Sequence, residues 1–336
     1  LMLAVCAACA SAHRRVDAPG RALTPSTGAP SKLPDGWVHE PVTAAMDPAS
    51  PFGYYVLRPT NASAHPPPLL IHLSDQAQSG PGTVASLERL LRVGPAKLIR
   101  RGEWAPPTPM IVVTPQLGSL GGRDDDSYAS AAPDVAKNLS ALVPHLVERF
   151  GADNTRVYAS AVGSGAAFLG DFLAREGAKS GIAAAVAISG LGDHGLQELD
   201  ATKLSAVPLW AFHQEGSEPR YRKTTVPLLD AARRADAGAV ARISLYPKKH
   251  GAASWEALFS PTAAFSELAA AAHGGAPGES LWSWMLRFHN YKRLKSIVPP
   301  KDFGARFDVT NSVLWGSPEQ KNNSPGVSHL RVAGRV

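Results

Sequence analysis

Seven short apolar runs, separated by amphipathic stretches, set the tightest limit on what this chain can fold into. The runs are Tyr54–Leu57, Leu69–Leu73, Ile111–Thr114, Val157–Ala161, Ala183–Ile188, Leu209–Phe212 and Ile243–Tyr246. Each is too short for a helix and lacks polar alternation, which is the mark of a strand buried on both faces. Between them, residues 84–101 bring Leu87, Leu90, Leu91, Ala96 and Leu98 onto an apolar side, and residues 133–150 set Val135, Leu139, Leu142, Val143, Leu146 and Val147 at helical spacing. Residues 165–176, 225–236 and 255–272 read as further helices. Buried strands joined by helical crossovers imply the α/β class, with a central, mostly parallel sheet covered by helices on both faces. The pattern opens near Trp37 with two strands and no helix between them, which predicts an antiparallel edge. Val157–Ala161 is expected near the middle of the sheet. Ligands of such sheets bind at the carboxyl ends of the strands.

Composition supports one large core and narrows the partners. Apolar types make up 44% of the 336 residues and charged types 18%, so a core of real size can be buried. No apolar run reaches the roughly 18 residues of a membrane-spanning helix, so no integral membrane span is expected. The formal net charge is +6. Its basic residues are scattered, as in Arg100-Arg101, Arg233-Arg234 and Lys248-Lys249. With no aromatic-interleaved RNA-binding motif, the charge reads as a solvated surface and not as a nucleic-acid face.

The two ends differ from the body. Residues 1–12 (LMLAVCAACASA) are apolar and small and close on Ala10-Ser11-Ala12, which resembles a secretory signal and its cleavage site, although no positive n-region precedes it. Residues 13–36 read as a linker, residues 37–293 as the folded domain, and residues 294–336, with Pro299-Pro300 and several Lys and Arg, as a C-terminal extension. Both cysteines, Cys6 and Cys9, fall in the signal-like segment, so a processed chain would hold no disulfide, zinc–thiolate site or cysteine nucleophile. The expected location is the extracellular space or an organelle lumen, where the sequons at Asn61, Asn138 and Asn322 could carry glycans.

Tyr54–Pro59, Leu69–Leu73, Val112–Gln116, Arg156–Gly165, Val207–His213, Tyr246–His250 and Leu281–Trp284, taken in order, resemble the α/β-hydrolase fold, and within it secreted esterases of the polyhydroxybutyrate-depolymerase, feruloyl-esterase and predicted-peptidase type. Tyr54-Tyr-Val-Leu-Arg-Pro59 is similar to their entry strand, Leu69-Leu-Ile-His-Leu73 to the strand before the oxyanion loop, and Val112-Val-Thr-Pro-Gln116 to the next strand. Arg156-Val-Tyr-Ala-Ser160 with Ala161-Val-Gly-Ser-Gly165 resembles the strand and nucleophile elbow. Val207–His213 resembles the strand before the acid, Tyr246–His250 with Ser254-Trp255 the histidine loop, and Leu281–Trp284 the closing helix. The resemblance covers about residues 37–291.

It implies a Ser nucleophile on a strained turn, a His base, an orienting acid and two backbone N–H donors for the oxyanion. Counted without a gap, the nucleophile position falls on Gly163 and the acid position on Ser217. The oxyanion loop, His-Gly in those esterases, reads Ser74-Asp75 here, which brings a negative charge towards the place where the anion would form. His250 is the one catalytic position that is kept. The leading expectation is therefore a degenerate fold, a pseudoenzyme with a binding or structural role and either a protein partner or a small acyl or ester ligand. The alternative is a carboxylic-ester hydrolase working through an acyl-enzyme, with Ser164 as nucleophile, His250 as base and Glu218 as orienting acid. Neither reading calls for a cofactor. The Asp124–Asp126 run lacks the full calcium-loop pattern and reads as a solvated acidic loop, with no metal expected.

The N-terminal reading has a direct check. Intact-mass spectrometry of natively expressed protein is expected to show residues 1–12 removed; a mature chain that keeps Cys6 and Cys9 would refute export by this route.

Overall fold

The computed structural model describes residues 33, 35–60, 65–118, 125–192, 200–217, 222–246, 254–259 and 280–290. The segments read above as signal (1–12) and extension (294–336) lie outside the described residues, as does all of the 255–272 helix beyond residue 259. Eight strands form one sheet: β1 (Trp37–Val42), β2 (Tyr54–Pro59), β3 (Leu69–Leu73), β4 (Ile111–Pro115), β5 (Val157–Val162), β6 (Ala184–Ile188), β7 (Leu209–Gln214) and β8 (Ala241–Tyr246). They lie in the order β1-β2-β4-β3-β5-β6-β7-β8. β1 and β2 run antiparallel to each other, and β2 runs antiparallel to β4; every pairing from β4 through β8 is parallel. This is the α/β-hydrolase fold, with β5 inside the sheet between β3 and β6 and an antiparallel edge at β1.

Helices cover both faces: α1 (Val84–Leu87), α2 (Gly94–Arg100), α3 (Asp125–Phe150), α4 (Ser164–Glu176), α5 (Ala201–Ser205), α6 (Thr225–Ala235) and α7 (Leu281–Met285). The two faces are built from different residue sizes. On the side of α3 and α4, the strands present Ala159, Ala161, Ala185, Ala187 and Ala211 to Leu142, Leu146, Phe168 and Phe172. On the other side they present Tyr158, Val186, Trp210 and Phe212 to Trp282, Trp284 and Met285. Small strand residues let a helix approach closely, while the aromatic face fills its volume with rings, such as Trp210 against Trp284 at 5.3 Å and Trp104 on Trp282 at 5.3 Å.

Two local expectations change. The 84–101 helix is broken into α1, a 3-10 turn over Glu88–Arg92, and α2; Gly94 sits at φ +75° between the pieces. The helix expected from residue 133 starts eight residues earlier and runs through Pro133 and Pro144. An interior proline costs about 3 kcal/mol. Here the apolar stripe of Ala132, Val135, Leu139, Leu142, Val143 and Leu146 packs on the sheet and offsets that cost.

Two histidines of the sheet, the buried His72 and the half-buried His39, are held neutral by this packing. His72 of β3 has no solvent exposure, bonds Ser160 Oγ through Nδ1 at 2.9 Å and stacks on Trp255. Burial depresses its pKa to about 3. Burial, together with the Arg100 charge, depresses that of His39 to about 4. In the unfolded chain both titrate near 6.5, so below that pH the unfolded state binds more protons than the folded one. Stability is then full above about pH 6.5 and falls as pH drops towards 3. The expected loss from His72 at pH 5 is about 2 kcal/mol. Urea midpoints at pH 7.5 and 5 test this, and His72→Gln is expected to flatten the acid-side slope.

Candidate functional site at the turn after the central strand

β5 ends at Val162 and α4 begins at Ser164, so a single residue makes the turn between strand and helix. That residue is Gly163, with φ +57° and ψ −126°. An L-residue held in such a conformation carries strain of about 1–3 kcal/mol, which glycine avoids. The Gly163 N–H donates to Ile188 O at 2.9 Å, and its carbonyl accepts from Ala166 N at 3.0 Å as the helix starts. Two residues on, a Cβ at Gly165 would press on Leu73 O and Ser74 O at 2.5 and 2.6 Å, so glycine there lets the helix start against the end of β3. The shape is the sharp strand-to-helix turn that carries the nucleophile in α/β-hydrolases, and its tip holds no side chain.

The space beside that tip belongs to Asp75. A Cβ built on Gly163 would overlap Asp75 Oδ2 and lie 3.0 Å from its Cγ. Asp75 Oδ1 accepts from Ala77 N at 3.1 Å and caps the 3-10 turn Gln76–Gln78. Oδ2 accepts from the Ser164 N–H at 3.3 Å. The N–H after the nucleophile position is one of the two oxyanion donors of this fold, and here it is directed at a carboxylate of the same chain. The dipole at the start of α4 favours the anion in this place.

Ser164 is not at the tip. It is the first residue of α4, and its Oγ accepts from the Gln76 N–H at 2.7 Å. Ser74 is buried, and its Oγ has no partner among the described residues. The cavity lined by Ser74, Asp75, Gln76 and Ser164 measures about 10 Å³, about the space of one water.

Ser217 follows β7, and its hydroxyl donates to Gln214 O within its own turn. Glu218 and His250 lie outside the described residues, as does Asp124. Among the described residues no group of three or more His, Cys, Asp or Glu could hold a metal ion, and no helix is long and apolar enough to cross a membrane. His213 is buried on β7 and donates through Nε2 to Thr225 Oγ1 at 2.8 Å, since that hydroxyl itself donates to Leu191 O.

One residue of this edge escaped the sequence reading. Ser189, at the end of β6, has φ +47° and is the one non-glycine residue with positive φ among those described. Its Oγ lies 3.0 Å from Tyr246 Oη at the end of β8. Burial raises the Tyr246 pKa while the Ser189 hydrogen bond opposes the rise. The Ser189-Gly190-Leu191-Gly192 run was the available signal, because paired glycines mark irregular backbone.

No protein-family model matches the chain, and a search of curated proteins gives no match. Among solved structures it is similar to a thermostable esterase (TM-score 0.45, 17% identity, over 78% of this chain and 62% of that one). It is also similar to a putative dienelactone hydrolase from Klebsiella pneumoniae (TM-score 0.45, 17% identity, 77% and 97%) and to a protein of Thermus thermophilus (TM-score 0.45, 17% identity, 66% and 93%). The chain thus spans less than two thirds of the thermostable esterase. At these values the likenesses carry no argument, and the fold is assigned from strand order and register.

The Asp75–Gly163 contact predicts a coupled pair. Gly163→Ser is expected to lower stability by about 2–4 kcal/mol, from backbone strain and overlap with the carboxylate. Added Asp75→Gly relieves the overlap, so the double variant is expected to lose at least about 1 kcal/mol less than the sum of the single losses. Denaturant titration of the four proteins measures this; strict additivity would refute the contact.

Proposed function

We propose that this chain is a non-catalytic α/β-hydrolase-fold protein, with a binding or structural role outside the cytosol. The observation that carries the reading is Gly163 at the tip of the turn with the Asp75 carboxylate beside it. Acyl transfer needs an attacking oxygen there, and a glycine offers none. It also needs backbone N–H groups free to meet a developing oxyanion. In this chain Ser164 N–H is turned to Asp75 Oδ2 and Gln76 N–H to Ser164 Oγ. A fixed negative charge at that point opposes the transition state it would have to stabilise. Ser217, with its hydroxyl spent on Gln214 O, supplies no charge to support an imidazolium. With the nucleophile lost, triad enzymes retain only about 10³–10⁴-fold over water, drawn from the oxyanion hole and binding, and here that hole is occupied.

The competing reading, an esterase using Ser164, His250 and Glu218, requires the Ser164 hydroxyl to leave Gln76 N–H and reach past the tip. The two readings separate in one assay. No hydrolysis of p-nitrophenyl butyrate above background is expected, no labelling by a fluorophosphonate, and no change in Ser164→Ala. Labelling that vanishes in both Ser164→Ala and His250→Ala would establish the esterase instead.

A further inference from the structure

A cavity with charged walls lies at the other end of the sheet from Gly163. It holds about 590 Å³, within the range of about 300–1,000 Å³ typical of small-molecule sites. Ile111 at the start of β4, Pro66 and Pro67 leading into β3, and Gly151 after α3 place it at the amino ends of the parallel strands. Its lining carries two guanidinium groups, Arg58 and Arg149, and one carboxylate, Glu40.

Arg149 is anchored but far from saturated. Asp47 is 2% exposed and already accepts Tyr54 Oη at 2.7 Å and His145 Nε2 at 2.8 Å. Arg149 Nη1 is its outermost partner, at 3.3 Å, and the guanidinium carbon stands 5.7 Å from the Phe150 ring centre. One corner of the fork is therefore fixed, and Arg149 itself lines the cavity. Arg58 spends Nε and Nη2 on a single oxygen, Glu40 Oε1, at 3.1 and 2.8 Å. Each guanidinium faces one carboxylate, Glu40 for Arg58 and Asp47 for Arg149, and the planar fork of arginine can still match a ligand carboxylate with two parallel bonds. Pro66, Pro67 and Phe150 provide flat apolar surface for the rest of the molecule.

We propose that this amino-end cavity binds a small aromatic carboxylate, held by Arg149 with Arg58 and packed on the proline and Phe150 walls. Glu40 competes with the ligand for Arg58 and repels its charge. The site shares no residue with the turn at Gly163, so its failure would leave the non-catalytic reading intact.

Fluorine NMR on the full chain, with para-fluorobenzoate as probe, tests the assignment. Its resonance is expected to broaden at millimolar concentration and to sharpen when unlabelled benzoate is added, while para-fluorobenzylamine stays sharp. Arg149→Gln is expected to weaken binding about tenfold or more. Because that change also strips a partner from Asp47, Glu40→Gln is the deciding variant: it is expected to tighten binding about threefold, a gain that damaged folding cannot produce. No broadening in the wild type, equal broadening of the amine, or no tightening in Glu40→Gln would overturn the proposal.

Discussion

The carboxylate of Asp75 is the tie on which the carboxyl edge of the sheet depends. A helix leaves its first N–H groups unpaired, and an N-cap side chain normally takes one of them. The N-cap of α4 is Gly163, which has no side chain and makes no capping bond of its own. Asp75, from the far side of the turn, accepts the Ser164 N–H in its place. The loop after β3 receives in exchange: Ser164 Oγ accepts the Gln76 N–H. The reciprocity is that of a capping box, except that the two halves come from segments about ninety residues apart. The same groups that would have to be free for acyl chemistry thus join β3 to α4.

The rest of the domain is arranged to bring those two segments together. β3 and β5 pair in parallel from Leu69 with Val157 to Leu73 with Ala161, and the same register carried two residues on sets Asp75 level with Gly163. The alanine face of β5, β6 and β7 lets α4 lie close, and Gly165 removes the last obstacle against Leu73 O and Ser74 O. Among the described residues the opposite end of the sheet is more open. The amino-end cavity of about 590 Å³ contrasts with about 10 Å³ beside Ser164, so open volume and chemistry-bearing turn sit at opposite ends of one sheet.

Much of the architecture was legible because it rests on patterns that survive without a template. Unbroken apolar runs such as Leu69–Leu73 and Ala184–Ile188 are wholly buried, and the missing helix between β1 and β2 announced the antiparallel edge. The tip of the turn at Gly163 also followed from an ungapped count. Helix ends were harder: Pro133 looked like a start, yet α3 runs through it, because tertiary packing outweighs local propensity. The pairing of Asp75 with Gly163 was visible only as two separate departures from an expected pattern. Their contact is a matter of register between β3 and β5, which no local stretch encodes. The Arg58 and Arg149 cavity left no trace for the same reason, since its walls come from β1, β2, the loop before β3 and the end of α3. His250 and Glu218 lie outside the described residues; the resemblance points to His250, and Glu218 enters only as the neighbour of the acid position at Ser217.

Gly163 and Asp75 together work as a ratchet. A chain that reached a serine at this turn by single replacements would meet a loss at either first step. Serine first collides with the carboxylate; loss of the carboxylate first leaves α4 without its borrowed cap. Each residue makes the other's replacement costly, so the glycine at this turn is held in place by folding stability. Proteins sit only a few kcal/mol above their stability threshold, and a valley of that depth is enough to make the route one-way.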